Sequence, residues 1–248
     1  MTLPLPGVLE IETSSLCNRR CPTCMRNSFP DRERVASWFE ENYLPEEVIY
    51  DLAKQTYEMG FERTVCLSHY NEPLLDHRLF QIVTGIKSVG SFQEIVIHTN
   101  GDLIDEEMAE NINSHFDRIV VAVYHDDMYK RFARMDELAK LIDSNILQFI
   151  APEHIPTHYS PGFDLETIID MYEEYPCHDL SRFIINHKGQ MNFCCDDLCG
   201  QFDLGTFPET SAKDLWYSEK HTQLVEQLAN PGGRKGIPVC EICPRPVW

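Results

Sequence analysis

The sequence has no long apolar runs. Its longest, such as Ile119–Tyr124, fall far short of the ~20 residues that a membrane span needs. Met1–Pro6 has neither the basic flank nor the apolar core of a secretory signal. Basic charge is also scarce: 21 Lys plus Arg face 40 Asp plus Glu, a formal net charge of −19. A nucleic-acid binder needs a basic footprint, which here would oppose the field of the whole molecule. That field either serves solubility or favours a cationic substrate or partner. There is no internal repeat and no low-complexity stretch. What remains is an ordinary globular composition, 43% hydrophobic and 25% charged over 248 residues. This is enough chain for one or two domains with a full core.

Cysteine is the abundant exception, with ten residues. Cys17, Cys21 and Cys24 sit near the start, and Cys177, Cys194, Cys195, Cys199, Cys240 and Cys243 near the end. Cys66 stands alone between the groups. Without a secretory signal, two such groups read as metal ligands in a cytoplasmic protein, not as a disulfide framework.

Short β-branched runs alternate with helical patterns over the first 151 residues. Strands are expected at Gly7–Thr13, Arg63–Leu67, Phe92–His98, Arg118–Tyr124 and Ile146–Ala151. Helices are expected at Pro45–Met59, Asp76–Val89, Ile104–Asn111 and Asp126–Ile142, with Gly60 and Gly90 as stops. This alternation predicts parallel βαβ units, whose function sits at the C-terminal ends of the strands. After Ala151 the pattern changes. Pro152, Pro156 and Pro161 mark a joint, followed by a helical stretch, Phe163–Glu174. A hairpin over Arg182–Cys195 turning at Lys188-Gly189 and a helical stretch Ser211–Leu228 come next. We therefore divide the chain into residues 1–162 and a smaller cysteine-bearing domain, 163–248.

Cys17, Cys21 and Cys24 follow the first strand as C-x3-C-x2-C. Three thiolates are one short of a structural zinc site and suit an iron–sulfur cluster with one open iron. At these residues the chain resembles the radical S-adenosylmethionine (SAM) superfamily. Asn71-Glu72-Pro73, after strand two, resembles the family's "GGEP" motif, with Tyr70 and Asn71 in place of the glycines. Thr99-Asn100-Gly101, after strand three, resembles its "TNG" segment. Tyr124 and His125, after strand four, stand where many members carry a cofactor-facing Ser, and Thr23 where many carry an aromatic. The resemblance implies a partial (β/α) barrel of five to six parallel strands. It implies a 4Fe–4S cluster on the three cysteines and SAM held by Glu72, Asn71, Thr99, Asn100, Tyr124 and His125. The cluster would cleave SAM to a 5′-deoxyadenosyl radical, which takes a hydrogen atom from a substrate.

Cys177, then Gly189 and Cys194, then Cys240-x-x-Cys243 resemble the twitch and SPASM domains that hold auxiliary 4Fe–4S clusters. The resemblance makes Cys177, Cys194, Cys240 and Cys243 the four ligands, with Cys195 as an alternative to Cys194. A structural zinc is the competing reading of this group. Cys195 and Cys199 otherwise serve packing, or one of them donates a hydrogen atom, which would make the reaction an epimerisation. Cys66 reads as a small core residue. Arg19 and Arg20 either offset cluster charge or are solvated.

His69, His98 and His125 end strands two, three and four and read as hydrogen-bonding groups around the cofactor, or as acids and bases. Glu153 and His154, with His158, follow strand five and are candidate bases for a hydroxyl proton. The size and layout resemble the compact aminocyclitol dehydrogenase type. That implies two-electron oxidation of a small polar, amino-sugar-like substrate through the auxiliary cluster, in natural-product biosynthesis. The electron donor would be of flavodoxin or ferredoxin type, with no nucleic acid or membrane partner. Modification of a ribosomally made peptide and small-molecule epimerisation are the alternatives. Strand one begins at about residue 7, so no leader-binding domain is expected ahead of it. An electron-transfer module without catalysis is the third possibility.

Overall fold

The computed structural model describes residues 3–22, 24–150, 176–241 and 243. One sheet organises them. Strands β1 (Val8–Ile11), β2 (Thr64–Cys66), β3 (Glu94–Thr99), β4 (Arg118–Ala122) and β5 (Leu147–Ile150) lie in sequence order, all parallel. On the other side of β1 lies β6 (Arg182–Ile185), also parallel, with Val8 opposite Arg182 and Ile11 opposite Ile185. The antiparallel β7 (Met191–Asn192) ends the sheet. The order is β5-β4-β3-β2-β1-β6-β7, open between its two edges. Six parallel strands are thus present, in line with the partial barrel expected. The hairpin assigned to the second domain continues the sheet of the first. It turns at Gly189, whose φ of 79° is the left-handed region that glycine accepts.

The period-two pattern of each strand separates two faces. Leu9, Ile11, Val65, Leu67, Ile95, Ile97, Ile119 and Val121 point outward into the main core. The helices that cover this face are α2 (Glu46–Glu58), α3 (Leu79–Val89), α4 (Glu106–His115) and α5 (Met128–Leu141), after the short α1 (Met25–Ser28). Several connections supply a helix start or stop. Asp105 caps α4 and Asp127 caps α5 by accepting backbone N–H groups, and Gly60 ends α2 with φ 92°. The inner face carries Glu10, Cys66, Val96, His98, Val120, Ile150 and Arg182. Charged residues on strands buried this deeply mark that face as a lining, not a core.

The single helical stretch expected over Ser211–Leu228 is two helices, α6 (Ala212–Trp216) and α7 (Glu219–Leu228). Ser218 breaks it, because its hydroxyl accepts from the His221 N–H and starts a new helix. A short α8 (Pro238–Glu241) carries Cys240. The expected helix Phe163–Glu174 lies outside the described residues, as does the boundary between residues 162 and 163.

Candidate active site

A cavity of about 440 Å³ opens at the C-terminal ends of the parallel strands and reaches down their inner face. The loops after β1, β2, β3 and β4 build its mouth. Cys17, Cys21 and Cys24 line it from the first. That loop is pinned by Asn27, whose Nδ2 donates to the Cys21 carbonyl at 3.1 Å. It is also tied to the loop after β3: Arg19 Nε donates to Asp102 at 2.5 Å and Asn18 Nδ2 to the same carboxylate at 3.1 Å. Asn100 Nδ2 in turn donates to Asn18 Oδ1 at 2.8 Å. Burial pushes all three thiols up, Cys24 to about 11. Loading a metal centre must therefore expel protons.

Glu72 is the hub of the second and third loops. Its Oε1 accepts from the Thr99 hydroxyl at 2.7 Å and the Leu74 N–H at 3.1 Å, and its Oε2 from the Asn100 N–H at 2.8 Å. Burial raises its pKa, and these three donors oppose the rise. Asn71, Glu72, Thr99 and Asn100 are thereby brought together in the cavity wall, beside the three thiols. Asn71 Oδ1 accepts from the His69 N–H, while its buried Nδ2 has no partner among the described residues. Tyr124 also lines the cavity, under the Arg19 guanidinium at 5.3 Å, its hydroxyl pushed up to about 12 by burial. His125 lies apart. It is exposed, and its Nδ1 accepts from the Asp127 N–H at the start of α5. Glu153, His154 and His158 lie outside the described residues.

The residues therefore fit the expected cofactors. Three thiols and an unpartnered buried amide share one cavity with a fixed carboxylate. Among the described residues no three side chains converge tightly enough for a single metal ion, whereas a multi-iron cluster spans a wider set of thiolates.

The family model of the radical SAM superfamily matches residues 11–144. The chain belongs to the radical SAM superfamily. This membership implies a 4Fe–4S cluster and SAM. The similarity also extends beyond the barrel. The SAM-dependent 2-deoxy-scyllo-inosamine dehydrogenase of Niallia circulans is 22% identical over 240 residues, covering 96% of this chain and 92% of that protein. The GTP 3′,8-cyclase of Clostridium perfringens (strain 13 / Type A) is 22% identical over 170 residues, 66% of this chain and half of the cyclase. Among solved structures, BtrN in complex with AdoMet and 2-DOIA superposes with a TM-score of 0.81 at 21% identity, covering 99% of this chain and 95% of BtrN. The anSMEcpe structure with bound AdoMet gives 0.62 at 15% identity, over 96% and 84%. These likenesses show that the fold is that of radical SAM proteins.

Below the thiols the radical SAM cavity is lined by His69 and His98, which the sequence placed around the cofactor, by Cys66 and Cys195, and by Glu10 and Arg182, which the sequence reading did not single out. Arg182 donates to Glu10 Oε2 and, through Nε, to Asp179, each at 2.8 Å. Asp179 also accepts from the Cys195 thiol at 3.0 Å. Burial alone would raise Glu10, but His69 and Arg182 outweigh it and hold its carboxyl at about 2. The signal for Glu10 was in the sequence: in GVLEIET, Glu10 and Glu12 alternate with Leu9 and Ile11 on a strand with no exposed side.

The second cysteine set is also distributed by the fold. Cys177, Cys194 and Cys240 pack against the main core. Burial pushes Cys240 to about 12, with the neighbouring Cys243 and Cys177 adding to the rise. Burial raises Cys194 strongly. Cys195 takes the other direction and lines the cavity. Cys199 is half-buried against the cluster of Met25, Phe29 and Trp38. Cys66 sits in the inner face beside Val96 and Val120, as a small packing residue.

Proposed function

We propose that this radical SAM protein is an oxidoreductase that removes two hydrogens from a small polar substrate of the amino-sugar or aminocyclitol class. The observation that carries the reading is the composition of this cavity, with the thiol loop and Glu72 at its mouth and charged side chains at its depth. The end-to-end similarity to a 2-deoxy-scyllo-inosamine dehydrogenase supports it.

When bound, the cluster and SAM supply hydrogen-atom abstraction, the chemistry expected of the superfamily. The chain's own residues do the rest. Cys17, Cys21 and Cys24 would hold the cluster, and Asn71, Glu72, Thr99, Asn100 and Tyr124 would seat SAM. The Glu72 hydrogen bonds join the two loops into one wall that positions these groups together. The strand side chains beneath orient the substrate and keep water from the reacting carbon. Cys177, Cys194, Cys240 and Cys243 would hold an auxiliary 4Fe–4S cluster, the acceptor for the second electron. The assignment of Cys194 over Cys195 is supported by their opposite orientations. A flavodoxin- or ferredoxin-type protein would supply the initiating electron.

The test is anaerobic turnover of the reconstituted protein with SAM, a reduced flavodoxin and 2-deoxy-scyllo-inosamine. The reading requires 5′-deoxyadenosine and a ketone in equal amounts. A second reading, epimerisation, is favoured by one observation: the Cys195 thiol lines the cavity and could return a hydrogen atom. An epimer without ketone, lost on Cys195→Ala, would establish it instead.

A further inference from the structure

Two carboxylate–imidazole pairs grow from alternate residues, Glu10 on β1 and Glu12 just after it. Glu12 Oε2 bonds Nδ1 of His187 at 2.7 Å, and Glu10 Oε1 bonds Nδ1 of His69 at 2.6 Å. The Glu12 pair is sealed. Neither side chain has exposed surface, Trp38 Nε1 occupies the second Glu12 oxygen at 3.0 Å, and neither residue lines the cavity. The Glu10 pair lines the cavity with both members. The His69 side chain is 2% exposed, and with Nδ1 engaged its Nε2 is buried without a partner among the described residues, as is Nε2 of the sealed His187. An imidazole in a cavity wall whose one nitrogen is fixed by a carboxylate, with the other left without a partner, is the geometry of an oriented base.

We propose that His69 is the general base for the hydroxyl proton of the substrate and that Glu10 is its positioning residue. The proposal rests on the oxidative reading above. The balance is as follows. The carbinol C–H gives up a hydrogen atom to the SAM-derived radical, leaving a carbon radical that still bears its hydroxyl. The O–H bond then breaks, its proton passing to His69 Nε2. One electron leaves the carbon for a one-electron acceptor, the auxiliary iron–sulfur cluster of that reading, and the C–O bond becomes C=O. The substrate has lost two hydrogens, and His69 is imidazolium, balanced by Glu10.

The surroundings favour His69 over the cavity's other imidazole. Burial would lower His69, but the bond to Glu10 outweighs it and its pKa is raised. His98 on β3 is exposed and, among the described residues, bonds no carboxylate that would orient it. The other titratable groups around His69 are Glu12 just after β1, Arg182 on β6, Tyr70 beside its ring, and Cys195 and Asp197 after β7. Arg182 opposes the rise and Glu12 assists it.

The experiment uses the reconstituted holoenzyme, as wild type, His69→Gln and Glu10→Gln. The probe is 2-deoxy-scyllo-inosamine deuterated at the carbinol carbon. Deuterium in 5′-deoxyadenosine reports abstraction, ketone reports completion, and NMR of labelled histidine reports the His69 ring pKa. For His69→Gln we expect deuterium transfer within about threefold of wild type but a loss of ketone of about a hundredfold or more, the scale of a missing general base. For Glu10→Gln we expect the ring pKa and the pH limb of ketone formation to move down together. Ketone formation by His69→Gln within threefold of wild type overturns the base role, as does a ring pKa that Glu10→Gln leaves in place. Absence of deuterium transfer in wild type is a different failure: it sinks the oxidative reading, and the base role with it. His69→Asn replaces the glutamine variant if the latter fails to load its clusters.

Discussion

Glu72 and Thr99 are joined by a 2.7 Å hydrogen bond that locks the loop after β2 to the loop after β3. Glu72→Gln keeps the volume but replaces one acceptor oxygen with a donor, facing the Thr99 hydroxyl or the Asn100 N–H. A buried donor left unsatisfied costs about 1–3 kcal/mol. We expect that loss of stability together with SAM binding weakened at least tenfold. Calorimetric titration of SAM into the cluster-loaded variant, alongside thermal unfolding, checks both.

Asp102 offers a contrasting case. It accepts from Asn18 and Arg19 of the thiol loop but is partly exposed, and such ion pairs contribute about 0–1 kcal/mol. Asp102→Ala should therefore leave the unfolding midpoint almost unchanged. The thiol loop loses its anchor, so cluster loading should slow and SAM bind more weakly. Iron uptake followed by visible absorbance, beside a melting curve, separates the two effects.

Glu10 gives the pH dependence its sign. Its carboxyl is held at about 2 in the folded protein against an ordinary 4.5. A depressed acid stabilises the fold above its unfolded pKa and loses that contribution as pH falls through the folded one. Wild type should lose stability relative to Glu10→Gln between pH 4.5 and about 2. Parallel curves for the two proteins over that range would contradict this.

Gly189 turns the hairpin that carries Cys194 and Cys195. Its φ is 79°, and a Cβ there would meet the Phe207 carbonyl oxygen at 2.3 Å. Gly189→Ala should destabilise by at least about 1–2 kcal/mol, the left-handed penalty alone, read as a lowered unfolding midpoint. Gly236, also at positive φ but with nothing within 4 Å, should tolerate alanine better.

These residues also show what could be read from the chain and what could not. The five βα strands were legible because alternation and flanking turns are local signals. The thiol loop was singled out by its cysteine spacing, and Glu72 and Thr99-Asn100 by their resemblance to family motifs at the ends of those strands. The pairing of β6 with β1 was not. The local pattern of Arg182–Ile185 shows a strand but not its neighbour, which lies some 170 residues away. Glu10 and His69 meet across 59 residues of sequence, a contact that depends on β1 and β2 being adjacent. The break at Ser218 was hidden because apolar spacing runs through it, although serine followed by Glu219 is a capping signal. His125 was placed by motif register, but the chain turns outward at Asp127 to start α5.

The most direct test is iron and sulfide content after anaerobic reconstitution, for wild type and the Cys17→Ala/Cys21→Ala/Cys24→Ala triple variant. The account predicts about eight irons falling to about four, one four-iron cluster in each cysteine set. About four irons falling to none would contradict it. The second set would then hold no cluster, and the cavity would lack the acceptor that oxidation requires.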